Sequence, residues 1–193
     1  MPATSDERIR KAFGSIRRED FLPEDQRGFV QEDRALTIGY RQTNSQPTTV
    51  ANMLALLDVE PGHKVLDVGS GSGWTTALLG ALVGPEGSVH GVELVPELAE
   101  WGAENLRRYP MSWARIRPAR EGVLGLPEEA PFDRVLVSAE ATRIPDELVA
   151  QLRVGGLMVV PVQSRMTVVR RTDGAPEVVH HGYYSFVPLI EPD

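Results

Sequence analysis

The stretch from Lys64 to Glu93 constrains this chain more than any other. Val65, Leu66 and Val68 form a short apolar run of strand formers, and Gly69-Ser70-Gly71-Ser72-Gly73 then gives a backbone that can turn where a Cβ would not fit. Trp74 to Val83 reads as a helix, with Ala77, Leu78, Ala81 and Leu82 spaced along one face. Gly84-Pro85-Glu86-Gly87 supplies turn chemistry, and Val89 to Glu93 is a second strand. A strand, a crossover helix and a strand within about 30 residues make a βαβ unit, whose strands are parallel and whose crossover is right-handed.

The glycines choose between two kinds of ligand. A dinucleotide fingerprint, G-x-G-x-x-G, would put its third glycine at position 74, where the helix must approach the strand closely and leave room for a pyrophosphate. Trp74 stands there instead, and the glycine comes one residue early, at Gly73. Glu93, closing the second strand, can take two ribose hydroxyls in either class and so does not discriminate. The pattern D-x-G-x-G-x-G that begins at Asp67 resembles the S-adenosylmethionine (SAM) loop of class I methyltransferases. The alternative is a glycine-rich turn in some other doubly wound protein, since ligands in such sheets generally sit at the strand C-termini.

The rest of the chain supports one α/β domain over 1–193, divided into an N-terminal helical arm and substrate/cofactor loop (1–45), a Rossmann-like core (46–162) and a C-terminal edge hairpin (163–193). Asp6 to Ser15 is expected to be a short helix, Phe21 and Leu22 anchor the arm, and Gln31 to Thr43, which lacks a period, is expected to be a loop crossing the ligand site. Ser45-Gln46-Pro47 opens a helix whose Val50, Met53, Leu54 and Leu57 fall on one stripe. Ser45 there is either a simple helix cap or, beside the glycine loop, part of a place that receives a carboxylate. Pro96 to Arg108 is a second crossover helix with Leu98, Ala99, Gly102 and Leu106 inward, and Ser112 to Arg117 a third strand. Glu121 and Gly122 follow that strand, where an adenine amino group would lie if Glu93 holds the ribose. Asp133 to Ser138 and Leu157 to Val162 are further strands, separated by a helix that opens at Ile144-Pro145 and ends at Gly155-Gly156. Met166 to Arg171 and Glu177 to Val187 suggest an antiparallel hairpin added to the sheet edge.

Composition narrows the function classes. A net charge of −7 and a pI near 5.2 argue against a broad basic footprint for nucleic acid. With no cysteine, a disulfide framework, a thiolate nucleophile and a cysteine metal site are all excluded. The N-terminus MPATSDERIRKAF has no apolar core of signal-peptide length, and no run approaches the ~20 apolar residues of a membrane span, so the expectation is a cytoplasmic monomer. His63, His90, His180 and His181 fall at expected strand edges or turns and are read as structural or surface groups. His180 and His181 would point to opposite faces of a strand. No metal site is expected.

Taken together, several blocks resemble the protein-L-isoaspartate O-methyltransferase family: Arg18-Glu19-Asp20-Phe21-Leu22-Pro23, Leu36-Thr37-Ile38-Gly39, Gln42-Thr43-Asn44-Ser45-Gln46-Pro47, the SAM loop, Pro131-Phe132-Asp133, Gln151 to Gly156, and Phe186-Val187-Pro188-Leu189. The third is the most specific. The resemblance implies a mostly parallel seven-stranded sheet of the class I methyltransferase type, a SAM cofactor leaving as S-adenosylhomocysteine, and a protein or peptide acceptor bearing an isoaspartyl or aspartyl carboxylate. It implies a cofactor set of Thr43, Asn44, Asp67, Gly69, Ser70, Gly71, Gly73, Glu93, Leu94, Glu121 and Gly122. Ser45 is the catalytic candidate, with Thr43 bordering the same carboxylate, and Arg41, Gln42, Val187, Pro188 and Leu189 border the acceptor. Four departures stand on the acceptor side: Asn44 for isoleucine, Arg41 for glycine, Ala35 for proline and Gln31 for tyrosine. Such changes would fit branches of the family that methylate aspartyl residues in particular peptide substrates rather than scan damaged proteins, and Arg41 either pairs with an extra acceptor carboxylate or phosphate or is a solvated loop charge.

Methyl transfer to a carboxylate needs no general base, because a group with a pKa near ~4 is already ionised at neutral pH. Alignment is then the protein's task. Two rivals share the cofactor: a SAM-dependent methyltransferase of tRNA or a small molecule, and a SAM-binding module without turnover.

Overall fold

The strand from Lys64 to Val68 (β3) sits where the strand order reverses, and the remaining elements are arranged around it. The computed structural model describes residues 4–190; the outermost three residues of the expected arm and of the expected C-terminal segment lie outside the described residues. Toward one side β3 pairs in parallel with Ser88–Glu93 (β4), which pairs with Ala114–Pro118 (β5). Toward the other it pairs in parallel with Phe132–Val137 (β6), and β6 with Leu152–Val162 (β7). Arg165–Arg170 (β8) and Glu177–Tyr183 (β9) complete the sheet antiparallel, giving the order β5-β4-β3-β6-β7-β8-β9. This is the seven-stranded, mostly parallel sheet expected from the sequence. The crevice for a ligand opens at the C-terminal ends of β3, β4 and β6.

One face of the sheet carries Ser5–Ser15 (α1), Pro47–Leu57 (α2), Trp74–Val83 (α3) and Pro96–Leu106 (α4). Val50, Met53, Leu54 and Leu57 of α2 are buried as the stripe required, and Phe21 and Leu22 are fully buried. The α3 helix is enclosed nearly all round, with Ala81 exposed rather than on the inner face. Its start lies against α4: a Cβ on Gly73 (φ +93°) would come 2.9 Å from the Gly102 carbonyl oxygen and 2.8 Å from Ile116. Gly73 therefore serves helix–helix approach.

The other face has much less helix than the sequence suggests. The segment expected to be helical from Ile144 to Gly156 forms only four helical residues, Asp146–Val149 (α5), after which β7 begins at Leu152. Gly155-Gly156 does not end a helix. The pair makes a bulge, with Gly155 at φ +80°, where β7 shifts register against β6, and a Cβ on Gly156 would meet the carbonyls of Arg153 and Asp133 at 2.9 and 3.0 Å. Gln151 closes the gap under the short helix: its carboxamide accepts from the Leu126 N–H at 2.7 Å and donates to the carbonyls of Leu124 and Glu147.

Three further readings change. Residues 31–43 are not all loop, because Leu36–Gly39 (β1) and Gln42–Asn44 (β2) pair as a small antiparallel hairpin turning at Tyr40 and Arg41. His90 is not at a strand edge: it lies inside β4, opposite Leu66 and Arg115, is 3 % exposed, and meets Phe132 edge-on at 5.7 Å. The expected second strand of the C-terminal hairpin stops at Tyr183, and Pro188 bridges to Glu140 instead. Among the described residues no helix is long and apolar enough to cross a membrane.

Candidate active site

The glycine loop after β3 and the end of β4 form one wall of an open cleft of about 1430 Å³. The loop is fastened from below. The N–H groups of Gly69 and Ser70 donate to the Val92 carbonyl at 2.9 and 3.1 Å, and the Gly73 N–H donates to the Ser70 carbonyl at 2.9 Å. Glu93, 7 % exposed, then accepts from the Gly71 N–H (2.8 Å) with one carboxylate oxygen and from the Val95 N–H (3.0 Å) with the other. A carboxylate oxygen has a second lone pair, so both remain able to receive hydroxyl groups from the cleft.

Four buried polar atoms around the loop have no protein partner: Ser70 Oγ, Trp74 Nε1, Asp67 Oδ1 and the Oδ1 of Asn105, whose Nδ2 donates to the Ser72 carbonyl. Asp67 lies under the loop, accepting from Thr76 Oγ1 at 2.7 Å with its other oxygen. Burial pushes its carboxyl up to about 7, against the Thr76 bond, and the nearby Glu93 charge adds to the rise. Buried unpaired polar atoms are costly and call for an explanation. Asp67 lies outside the cleft, but Ser70 and Trp74 line it beside Glu93, and an adenosine whose ribose met Glu93 would bring polar groups to that part of the loop, so these residues fit SAM.

The opposite wall begins at β2. Thr43, Asn44, Ser45 and Gln46 line the cleft, with Thr48, Thr49 and Asn52 from the first turns of α2, and Val187, Pro188 and Leu189 from the C-terminal segment. That segment is fixed by Glu140, whose N–H donates to the Val187 carbonyl and whose carbonyl accepts from the Leu189 N–H, both at 2.7 Å. Asn44 is buried; its Oδ1 accepts from Arg18 Nε at 2.8 Å and its Nδ2 donates to Ser72 Oγ at 3.4 Å, tying the two walls together. Ser45 does not cap α2. The N-cap residue is Gln46, without a side-chain capping bond, and the carboxylate of Asp33 caps the helix from outside, accepting from the Thr48 N–H at 2.9 Å.

Of the residues expected at the site, the structure brings Gln42, Thr43, Asn44, Ser45, Gly69, Ser70, Gly71, Glu93, Leu94, Glu121, Gly122, Val187, Pro188 and Leu189 to one cleft. Three stand elsewhere: Asp67 beneath the loop, Gly73 in the α3–α4 contact, and Arg41 at the exposed turn of the β1–β2 hairpin. Sequence reasoning missed Trp74 as a lining residue that packs edge-on against Phe13 at 5.5 Å, and it missed Arg18 and Asp33. The last two act on partners 12 to 27 residues away along the chain, at a distance no local period reports.

A family model described as protein-L-isoaspartate(D-aspartate) O-methyltransferase matches residues 3–192. The chain belongs to the protein-L-isoaspartate O-methyltransferase family. It is 43% identical to the protein-L-isoaspartate O-methyltransferase of Aeropyrum pernix, over 95% of this chain and 72% of that one. With the enzyme of the same name from Methanothrix thermoacetophila the identity is 47%, over 95% and 88%. A solved protein-L-isoaspartate O-methyltransferase superposes with a TM-score of 0.86 at 26% identity; the match takes in 95% of this chain but 61% of that one, so this chain spans about three fifths of its length. A putative protein-L-isoaspartate O-methyltransferase from Plasmodium falciparum, solved with S-adenosyl-L-homocysteine, gives 0.83 at 22% identity over 97% and 92% and shares the fold. Within this family's cleft, Asn44, which replaces the isoleucine of the resemblance, is part of the frame, and Ala35 alone of the other three replaced positions reaches the lining.

Proposed function

We infer that the protein is a SAM-dependent O-methyltransferase that methylates the free carboxylate of L-isoaspartyl residues in damaged proteins, as a cytoplasmic monomer without nucleic acid. When bound, SAM supplies an electrophilic methyl group on a sulfonium. Glu93 holds the ribose, Gly69 to Gly71 shape the passage beneath the tail, and Glu121 and Gly122 border the base. Thr43 and Ser45 present hydroxyls to the acceptor carboxylate across the cleft, while Val187 to Leu189 wall the peptide.

The observation that carries this reading is the pairing of the two walls: the ribose-type acid and glycine loop face the Thr43–Ser45 segment across one cleft. Among the described residues no histidine or lysine lines that cleft. A carboxylate arrives ionised and needs no base, so the reading asks nothing further of Glu93, Glu121, Tyr183 and Tyr184, which also line the cleft. Hydroxyl donors also suit a carboxylate nucleophile, because they orient it without strong charge pairing, and the one guanidinium that the lining holds among the described residues, that of Arg120, is paired with Glu128 at 2.9 Å. The placement of Arg41 and Gln31 away from the lining supports scanning of damaged proteins over a dedicated aspartyl peptide.

The test is transfer of labelled methyl from SAM to a peptide carrying one isoaspartyl residue, with the matched aspartyl peptide as control. Base-labile label on the isoaspartyl peptide alone is expected. Equal labelling of the aspartyl peptide would favour the dedicated-peptide reading, and binding of SAM with no label on either would favour a module without turnover.

A further inference from the structure

Arg18 lies in the 3-10 turn Arg18–Phe21, 6 % exposed, with its guanidinium 5.3 Å from the Trp74 ring centroid. A guanidinium has five N–H donors and no acceptor. Nε donates to Asn44 Oδ1 at 2.8 Å. Nη1 donates to the carbonyls of Glu32 (3.0 Å) and Val30 (3.4 Å), and Nη2 to those of Arg34 (2.8 Å), Ser45 (2.9 Å) and Asn44 (3.4 Å). One side chain thus gathers main-chain carbonyls from two separate segments, 30–34 and 44–45. No donor is left over to receive an acceptor carboxylate.

The carbonyls of residues 32 and 34 flank Asp33, so the same guanidinium fixes the bend that presents the Asp33 carboxylate to α2. There Oδ1 accepts from the Thr48 N–H (2.9 Å), and Oδ2 accepts from Thr48 Oγ1 (2.8 Å) and Gln46 Nε2 (3.0 Å). These bonds hold the Asp33 carboxyl below the usual carboxylate range. A helix N-terminus that could have drawn in a substrate carboxylate is already taken by one from the chain itself. The residues set by the two side chains, Ser45, Gln46 and Thr48, all line the cleft; the cofactor wall has its own anchors at Val92 and Glu93 and meets the Arg18 frame through the long Asn44–Ser72 bond (3.4 Å) and the Trp74 ring, whereas the Asp33 bonds all go to α2 and its cap.

We propose that Arg18 and Asp33 form a positioning pair that sets the acceptor wall, Ser45 to Thr48, at its working distance from the cofactor loop without touching either substrate. The proposal rests on the function inferred above. Arg18 acts through the carbonyls of residues 44 and 45, and Asp33 through the first turn of α2. Because the reaction depends on alignment, displacement of this wall by a fraction of an ångström falls on turnover, while SAM affinity, which is held at the other wall, stays nearly constant.

Arg18→Lys removes the fork of donors while keeping the charge. Asp33→Asn, on the exposed rim, keeps the shape but turns an amide donor toward donors. Wild-type transfer to the isoaspartyl peptide is measured first, and its absence would overturn the inferred function and not the pair. With wild type active, each variant is expected to lose 10- to 100-fold in kcat/KM for the peptide, while its calorimetric Kd for SAM stays within 3-fold. The double variant is expected to lose no more than the worse single one, as residues acting in one unit do. Values of kcat/KM within 2-fold of wild type in both variants would overturn the pair, and so would a parallel loss of SAM affinity, the mark of general destabilisation. Should Arg18→Lys not fold, Asp33→Asn alone decides between these outcomes.

Discussion

Glu93 has two tasks at once. It fastens the glycine loop through the Gly71 N–H and the chain after β4 through the Val95 N–H, and in the function proposed above its remaining lone pairs take the ribose. Glu93→Ala should therefore weaken SAM binding by roughly 1.5–3 kcal/mol, the scale for hydrogen bonds to a charged group, or about 10- to 150-fold in Kd. Isothermal calorimetry reads this directly, and an unchanged Kd would take Glu93 out of the site. Its place at the cleft was legible from the sequence because an acid closing the second strand of a βαβ unit has few places to go. The charge state of Asp67 was not legible: its residue type and motif position are local facts, but its upward shift comes from complete burial beneath a loop that only the folded chain closes.

At the scale of elements, α2 and α4 are found where their spacing places them, because a buried stripe is a periodic signal, while α3 is bounded by its flanking glycines and buried nearly all round. Short elements carry no such signal. The β1–β2 hairpin has four residues in one strand and three in the other, too few to show alternation, and its turn is built from Tyr40 (φ +53°) and Arg41 (φ +61°), both in the left-handed region. That geometry suits the glycine that the resemblance gives for position 41. A left-handed conformation costs a non-glycine residue about 1–2 kcal/mol, offset in part by the entropy a glycine loses on folding, about 0.5–1 kcal/mol. Arg41→Gly is expected to raise stability by about 0.5–1 kcal/mol in urea unfolding and to leave kcat/KM for the isoaspartyl peptide within 2-fold. A clear drop in kcat/KM would instead give Arg41 a role toward the acceptor. The bulge at Gly155-Gly156 misleads a sequence reading for a related reason: glycine ends helices and bends strands alike, and only pairing with β6 decides between the two.

Over the whole molecule, pH dependence collects contributions from residues far from the cleft. Burial, helped by the Arg115 charge, lowers the His90 imidazole from 6.5 to about 4. Between those values the unfolded chain binds a proton there that the folded chain does not, so stability is full above pH 6.5 and falls as pH drops toward 4, by on the order of 3 kcal/mol. Asp67, raised to about 7, runs the other way across much of the same window. The His90 share is isolated by difference: His90→Asn should show a flatter unfolding free energy between pH 6.5 and 4 than the wild-type protein, and parallel curves would mean that His90 titrates normally. By itself the sequence determined the parallel order of β3 and β4, the cofactor class and the helices with a buried stripe, because each is written within a few turns of contiguous chain. The tertiary structure alone decided that Asp33 caps α2, that Arg18 binds two segments together, that Arg41 stands clear of the cleft and that His90 is interior. These depend on which residues distant in sequence arrive side by side, and in this molecule a single guanidinium or carboxylate satisfies main-chain groups that its own segment never meets until the chain has closed.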